Sequence, residues 1–268
     1  MSAIGPASDS SVRSVSRALA LLALFDEETP IRTLRDLIDS SELPKTTVLR
    51  LIQTLEHLGF LYERPDGGYC LGPVLIRLSR AVEHVWRLPV AAEATMEALR
   101  EQTKETINLY VLEGSSRVCV AQKQGPQNIR YVIPIGIPLP LWGGASAKIL
   151  LADQSERFVE RVLREGRKDP SYRQWFADEL DRVRESGVAV SRGEREPAAA
   201  SVAVPIRAAD RTIAALAISG PITRFTPDRV TELSQILKRA VARMQESFTV
   251  GVDAGGAVSA WPVKSTAR

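Results

Sequence analysis

Leu43-Pro44-Lys45-Thr46-Thr47-Val48-Leu49-Arg50-Leu51-Ile52-Gln53-Thr54-Leu55-Glu56-His57-Leu58-Gly59 has the pattern of a helix with two unlike faces. Pro44 suits the first helical position, where its missing N–H would have had no partner anyway. Gly59 suits the left-handed stop after the last turn. At about 3.6 residues per turn, Val48, Leu51, Ile52, Leu55 and Leu58 share one apolar side. Thr46, Leu49, Arg50, Gln53 and His57 share the other, with Lys45 and Thr47 at its start. Arginine reaches guanine and phosphate, glutamine matches adenine, and an apolar group can touch a thymine methyl. These seven residues are therefore candidate DNA contacts. The pattern also fits an ordinary amphipathic surface helix.

The flanking segments bear on that choice. Val15 to Phe25 reads as a first helix with Ala18, Leu19, Leu22 and Phe25 on its apolar face, broken by Glu27-Glu28-Thr29-Pro30. Ile31 to Ser40 reads as a second, with Leu34, Leu37 and Ile38 in phase, and Ser41-Glu42 as a tight turn. Two short helices around a turn are the helix-turn-helix arrangement, whose second helix enters the major groove. Downstream, Phe60 to Glu63 and Tyr69 to Leu71 flank Arg64-Pro65-Asp66-Gly67-Gly68, a hairpin signal. The sum is a winged helix-turn-helix over residues 11–73, with Arg64 on the hairpin flank as a further candidate contact to phosphate or minor groove. Residues 11–80 carry nine basic and nine acidic side chains, a formal balance of zero. Counterion release must then come from a local cluster. A weak head that needs a second copy on the other half-site is expected.

The chain has 268 residues, 44% hydrophobic and 25% charged, with a net charge of +3 and a pI of about 9.0. That is enough for two globular domains. The two cysteines, Cys70 and Cys119, are far apart and in expected strands, which supports neither a disulfide framework nor a zinc site. No apolar run approaches the roughly 18 residues of a membrane span, and the Ser-rich start lacks an export signal. A cytoplasmic protein with no cofactor and no metal is expected.

After the hairpin, residues 74–88 read as a linker helix with Leu75, Leu78, Val82 and Val85 in phase, a candidate dimer contact or a helix packed only on its own domain. Residues 89–249 read as an α+β domain. Val90 to Gln102 is its first helix. Strands follow at Ile107–Leu112, Arg117–Gln122 and Ile129–Ile133, then helices at Ala145–Ala152, Ser155–Gly166 and Tyr172–Ser186. Strands at Val188–Ser191, Ser201–Arg207 and Thr212–Ser219, with a turn at 208–210, precede a last helix capped by Thr226 with Pro227 at its first position. Residues 250–268 read as a disordered tail.

In this order the segments resemble the IclR family of bacterial transcription regulators, from about Val12 to Met244. The resemblance rests on Ser16-Arg17-Ala18-Leu19, on Leu43 to Leu51, on Gly68-Tyr69-Cys70-Leu71-Gly72, and on Ala145-Ser146-Ala147-Lys148-Ile149-Leu150-Leu151-Ala152. It continues through Val202-Ala203-Val204-Pro205-Ile206 and Ile218-Ser219-Gly220-Pro221. Leu49 stands where the family often has His, and Ala147 where it usually has Gly. The resemblance implies a winged helix-turn-helix domain and a C-terminal GAF/PAS-like effector-binding domain. It also implies a homodimer or homotetramer and, in many members, repression of a catabolic operon released by a small organic acid. Effector positions implied by the resemblance are Ala145, Ser146, Ser191, Ser201, Ala217 and Ser219.

The residues point to the same region independently. Pro and Gly keep 134–148 irregular, Gly143-Gly144 admits a close backbone approach, and a helix starting near Gly144 would aim free N–H groups at a carboxylate. Trp142 is a candidate apolar wall. The serines also suit turns and strand ends with local backbone bonds. Arg130 and the pair Glu194/Glu196 read as solvated charges. Catalysis finds little support. His57 and His84, the only histidines, lie far in sequence from the serines, and no nucleophile elbow or phosphate-binding fingerprint is present. The expected function is a ligand-responsive regulator that binds double-stranded operator DNA. The alternative is a metabolite-binding protein or enzyme whose helix-turn-helix serves protein contact.

Overall fold

The computed structural model describes residues 12–26, 28–85, 88–208 and 211–249. The tail expected at 250–268 and most of the turn expected at 208–210 lie outside them. The chain divides into two compact units between Val85 and Trp86.

The first unit runs α1 (Arg13–Leu22), β1 (Ile31–Thr33), α2 (Leu34–Ser41), α3 (Lys45–His57), β2 (Leu61–Glu63), β3 (Gly68–Leu71) and α4 (Val74–Val85). Its core is Leu21, Phe25, Leu37, Val48, Ile52, Leu55, Leu61 and Tyr69. On α1 the buried residue is Leu21, whereas Leu19 is 48% exposed. The inward stripe runs through Ala18, Leu21 and Leu22 rather than through Leu19, because Leu24 and Phe25 leave the helix in a turn and close the core from below. Residues 31–33, expected to be helical, form a strand instead. They pair with β3, Ile31 opposite Cys70 and Thr33 opposite Gly68, so the wing sheet has the order β1-β3-β2. The helix waits for Thr33 because Thr33 caps it: Asp36 N–H donates to Thr33 Oγ1 (3.2 Å), and Asp36 Oδ2 accepts the Thr33 N–H (2.8 Å). α3 starts one residue later than expected, with Pro44 as its N-cap. It ends in a Schellman turn: Gly59 has φ +75, its N–H donates to Glu56 O, and Phe60 N–H donates to Leu55 O. Leu58, expected inside, is 54% exposed, since the αR cap turns it out of the buried row.

The second unit begins with α5 (Val90–Thr103) and continues β4 (Thr106–Glu113), β5 (Ser116–Lys123), β6 (Pro138–Pro140), α6 (Ala145–Ala152), α7 (Glu156–Glu165) and α8 (Pro170–Ser186). It ends β7 (Ala189–Arg192), β8 (Ala199–Ala208), β9 (Arg211–Pro221), a 3-10 turn (Ile222–Arg224) and α9 (Pro227–Thr249). The strands form one antiparallel sheet, β6-β5-β4-β9-β8-β7. Ile129–Ile133, expected as a strand, is not one. The edge of β5 is taken by β6 instead, with Arg117 opposite Leu139, a place where proline is tolerated because an edge strand has N–H groups to spare. Alternation sorts the sheet's two faces. Ile107 and Leu109 of β4, Val202, Val204 and Ile206 of β8, and Leu216 and Ile218 of β9 meet α5 and α9. The opposite face carries small groups, Ala203, Ala215 and Ala217, against α6, α7 and α8. The small side chains let the fully buried α6 lie close to the sheet. Thr226 caps α9, its Oγ1 accepting the Arg229 N–H.

Candidate functional site

On α3 the two faces separate as the pattern requires. Val48, Ile52 and Leu55 are buried, while Lys45, Thr46, Arg50, Gln53 and His57 are exposed and Thr47 and Leu49 half-exposed. Two acidic groups of this unit are engaged locally. Asp36 caps α2, and Asp26 binds the N–H and hydroxyl of Thr29 at 2.7 and 2.6 Å. The wing turn is Arg64-Pro65-Asp66-Gly67, closed by Gly67 N–H to Arg64 O, with Gly67 at φ +80 and Arg64 N–H returning to Gly68 O. Arg64 lies at this tip, half-buried, and its guanidinium is paired with Asp66 at 3.1 Å. That hydrogen bond holds the Asp66 carboxyl below its usual range. Arg64 must therefore share its charge with Asp66 before it meets any phosphate.

In the second unit, a single cavity of about 40 Å3 brings together Gly144, Ala145, Ser146, Ser191, Ser201, Ala217 and Ser219. Sheet register explains why residues so distant in sequence meet. Ser191 lies opposite Ser201, Ser201 opposite Ser219, and Ser219 opposite Thr106, a row of hydroxyls across β7, β8, β9 and β4. Asn108 donates to Ser219 Oγ at 3.3 Å, and Gln122 donates to Asn108 Oδ1 at 2.8 Å. α6 starts beside this row, its N-cap Gly144 at φ +102 and without a side-chain cap.

Trp142 does not line the cavity. Its ring packs on Gly166, where a Cβ would sit 2.5 Å from Cδ1, and Lys168 Nζ lies 3.7 Å above it. Its carbonyl accepts the Tyr172 hydroxyl at 2.7 Å. The indole thus packs on the connection between α7 and α8, while the backbone of Trp142 holds Tyr172 in the first turn of α8. Arg130 also lies elsewhere, bonded to Gln124 and to the Gln127 carbonyl on the surface. Glu194, expected to be solvated, is buried instead. It accepts the Gly144 N–H at 2.8 Å and pairs with Lys148 at 2.7 Å. Its place is set by the turn after β7, which folds back over α6.

The sequence reading also missed Tyr110, Arg117, Tyr131 and Arg195 in the cavity wall. Arg117 and Tyr110 alternate into strands whose neighbours are apolar, so periodicity marks them only as strand residues. Burial pulls Arg117 down from 12.5 to about 10, still a cation at neutral pH, and pushes Tyr110 up. Arg195 bonds the Tyr131 hydroxyl. Glu179, the second partner of Lys148, is pushed up by burial but ends below its usual value because Lys148 and Arg182 outweigh that. Among the described residues no group of three His, Cys, Asp or Glu is placed to hold a metal, and no helix is long and apolar enough to cross a membrane.

Residues 81–245 match the description "Bacterial transcriptional regulator IclR C-terminal", and residues 14–65 match "IclR helix-turn-helix domain". The chain belongs to the IclR family. Among its relatives in that family, the transcriptional regulator KdgR of Escherichia coli (strain K12) is 31% identical over 87% of this chain and 92% of its own length. The Acetate operon repressor of Salmonella typhimurium is 30% identical over 88% and 90%. The fold is shared with the crystal structure of an IclR homolog complexed with 4-hydroxybenzoate from Microbacterium hydrocarbonoxydans. That structure has a TM-score of 0.73 and 23% identity, and the match covers 87% of this chain and 98% of the other. This IclR-family protein is thus a transcriptional regulator with a helix-turn-helix head and an effector-binding C-terminal domain, and some of its relatives are repressors. The matching domains and relatives are regulators, not enzymes, so the enzymatic alternative falls away.

Proposed function

We propose that this regulator is a cytoplasmic repressor of a catabolic operon whose grip on double-stranded operator DNA is altered by a small organic acid. The observation that carries the proposal is the outward face of α3. Lys45, Thr46, Arg50, Gln53 and His57 are all solvent-facing on a helix whose other side is the core of its unit. This supports base and phosphate contacts by these residues, with Thr47, Leu49 and Arg64 at the margin. The convergence of Gly144, Ala145, Ser146, Ser191, Ser201, Ala217 and Ser219 on one cavity supports an effector pocket. A homodimer or homotetramer on a palindromic site is supported by the zero charge balance of residues 11–80 and by the apolar groups left exposed on α1 and α4. Those groups are Val15, Leu19, Ile76 and Val82. An effector shifts DNA binding only if it binds the DNA-bound and released arrangements with different affinity.

The test is binding of the full chain to the DNA upstream of its own gene, read by fluorescence anisotropy. Arg50→Ala and Gln53→Ala should each weaken binding by about 1–3 kcal/mol and relax the sequence preference. Unchanged binding in both variants overturns the α3 assignment. Ser146→Leu should bind the same DNA but no longer respond to any of a panel of small organic acids. A response equal to that of the parent protein would remove Ser146 from the pocket.

A further inference from the structure

The carboxylate of Glu194 sits where a ligand's carboxylate would be expected. Its Oε2 accepts the N–H of Gly144 at the start of α6 (2.8 Å), and its Oε1 lies 2.7 Å from Lys148 Nζ. The Lys148 side chain is 1% exposed and that of Glu194 10%. The ammonium donates to Glu179 (2.7 Å) and to the Val190 carbonyl (2.8 Å), and Glu194 is its second ion-pair partner. Arg117 is supplied differently. It is 4% exposed, gives one N–H to the Gly143 carbonyl at 2.7 Å and lies 5.6 Å from the Tyr110 ring centroid. Among the described residues its Nε has no hydrogen-bond partner, and no carboxylate forms an ion pair with it. Its guanidinium nevertheless abuts Gly144: a Cβ there would lie 2.8 Å from both terminal nitrogens. A buried cation without a directly paired counter-charge is costly, and Arg117 feels the charge of Glu194 only at a distance, beside a helix start that the same carboxylate occupies.

Size and charge decide what can enter. About 40 Å3 accommodates only a few waters, at roughly 10–15 Å3 each, so an organic acid must displace part of the wall. The segment from Gly193 to Ala198 contributes Glu194, Arg195 and Glu196 to that wall. With Glu194 withdrawn, Glu179 is the carboxylate left on Lys148 and is shared with the exposed Arg182, so the buried cations Arg117 and Lys148 are left with an excess of positive charge to be met.

We propose that Glu194 is a displaceable stand-in for the effector's carboxylate. A small monocarboxylate takes over the Gly144 N–H and the Lys148 ammonium, adds the unpartnered edge of Arg117, and expels Glu194 together with residues 193–198. The inference rests on the reading of this cavity as the effector pocket. Exchange of one carboxylate for another keeps two carboxylates on Lys148, whereas a neutral ligand of the same shape leaves it with Glu179 alone. The internal competitor lowers the apparent affinity by the fraction of time it occupies the seat. The freed segment gives the bound state a conformation that the unbound state lacks.

Propionate, which reproduces the side chain of glutamate, is the probe, with propionamide as the uncharged control. In titration calorimetry on the full chain, Glu194→Ala should bind propionate about tenfold or more tightly than the parent protein. That is the size of one charge-assisted hydrogen bond freed from competition. Propionamide should show no such gain. Glu194→Gln keeps the side-chain volume and carries the same comparison should the alanine variant not fold. Adding Arg117→Met to either variant should return the affinity toward the parent value. Equal binding of propionate and propionamide, or equal propionate affinity in parent and variants, overturns the exchange. The effector role of the cavity then still stands if Ser146→Leu loses its response. A propionate site that tightens in Glu194→Ala while operator affinity ignores propionate supports the carboxylate seat but overturns its use by an effector.

Discussion

Gly144 shows how much can depend on one missing Cβ. Its φ of +102 belongs to the region that side chains avoid, and the space a Cβ would fill is taken by the Arg117 guanidinium at 2.8 Å. Gly144→Ala should therefore lower the melting temperature of the protein and, at temperatures where it remains folded, displace Arg117 and weaken propionate binding to the Glu194→Ala background. A variant as stable and as competent as its parent would show that Arg117 relaxes freely. Sequence reading found Gly144 through its neighbourhood of glycines and prolines, but not Arg117 or Glu194. A strand arginine and a loop glutamate have no local signature of burial. The partners that hold them, Gly143, Gly144 and Lys148, lie 26 to 50 residues away.

The wing turn illustrates a motif whose conformation was legible while its electrostatics were not. Pro65 and Gly67 dictate the turn through their backbone preferences. The pairing of Arg64 with Asp66 follows only from the side-chain directions that the turn produces. Freed of its partner, Arg64 would offer an undivided charge to the DNA backbone. Asp66→Asn should tighten operator binding and steepen the plot of log affinity against log salt by about 0.9 per additional phosphate neutralised. Weaker binding with an unchanged slope would mean that Asp66 serves only to hold the turn. The helices were read well where a face repeats over three turns, as in α3. The reading failed at Ile31–Thr33, where three residues are helix-compatible by pattern but sit within reach of the unpaired edge of β3. It failed again at Ile129–Ile133, whose β-branched composition counts for nothing when Pro138–Pro140 takes the edge.

Acid stability joins several of these features across the molecule. The carboxyls of Asp26 and Asp36 titrate below their ordinary value of 3.8, chiefly through hydrogen bonds from Thr29 and Thr33, as does that of Asp66 through Arg64. A carboxylate whose pKa is depressed by folding stabilises fully above its unfolded value and loses that contribution as pH falls through the folded one. In the second unit Glu179 acts in the same direction, below its usual 4.5. Melting temperature followed by circular dichroism should thus hold steady above pH 4.5 and decline below it, and Asp36→Asn should flatten the decline below 3.8. A curve unaffected by that substitution would show that the cap is equally strong when protonated.

The local chemistry of the chain was enough to set most helix ends to within a few residues and which face of α3 stays wet, whereas the serines that line the cavity were singled out by the family resemblance. Capping, turn preference and periodicity act over a few residues and can be read from them. Tertiary structure alone decided that Ser191, Ser201 and Ser219 stand in one row, that Trp142 leaves the cavity, and that Glu194 closes it. Strand register and the burial of charge depend on partners far along the chain, and the cost of an unpaired buried group exists only once the interior has excluded water.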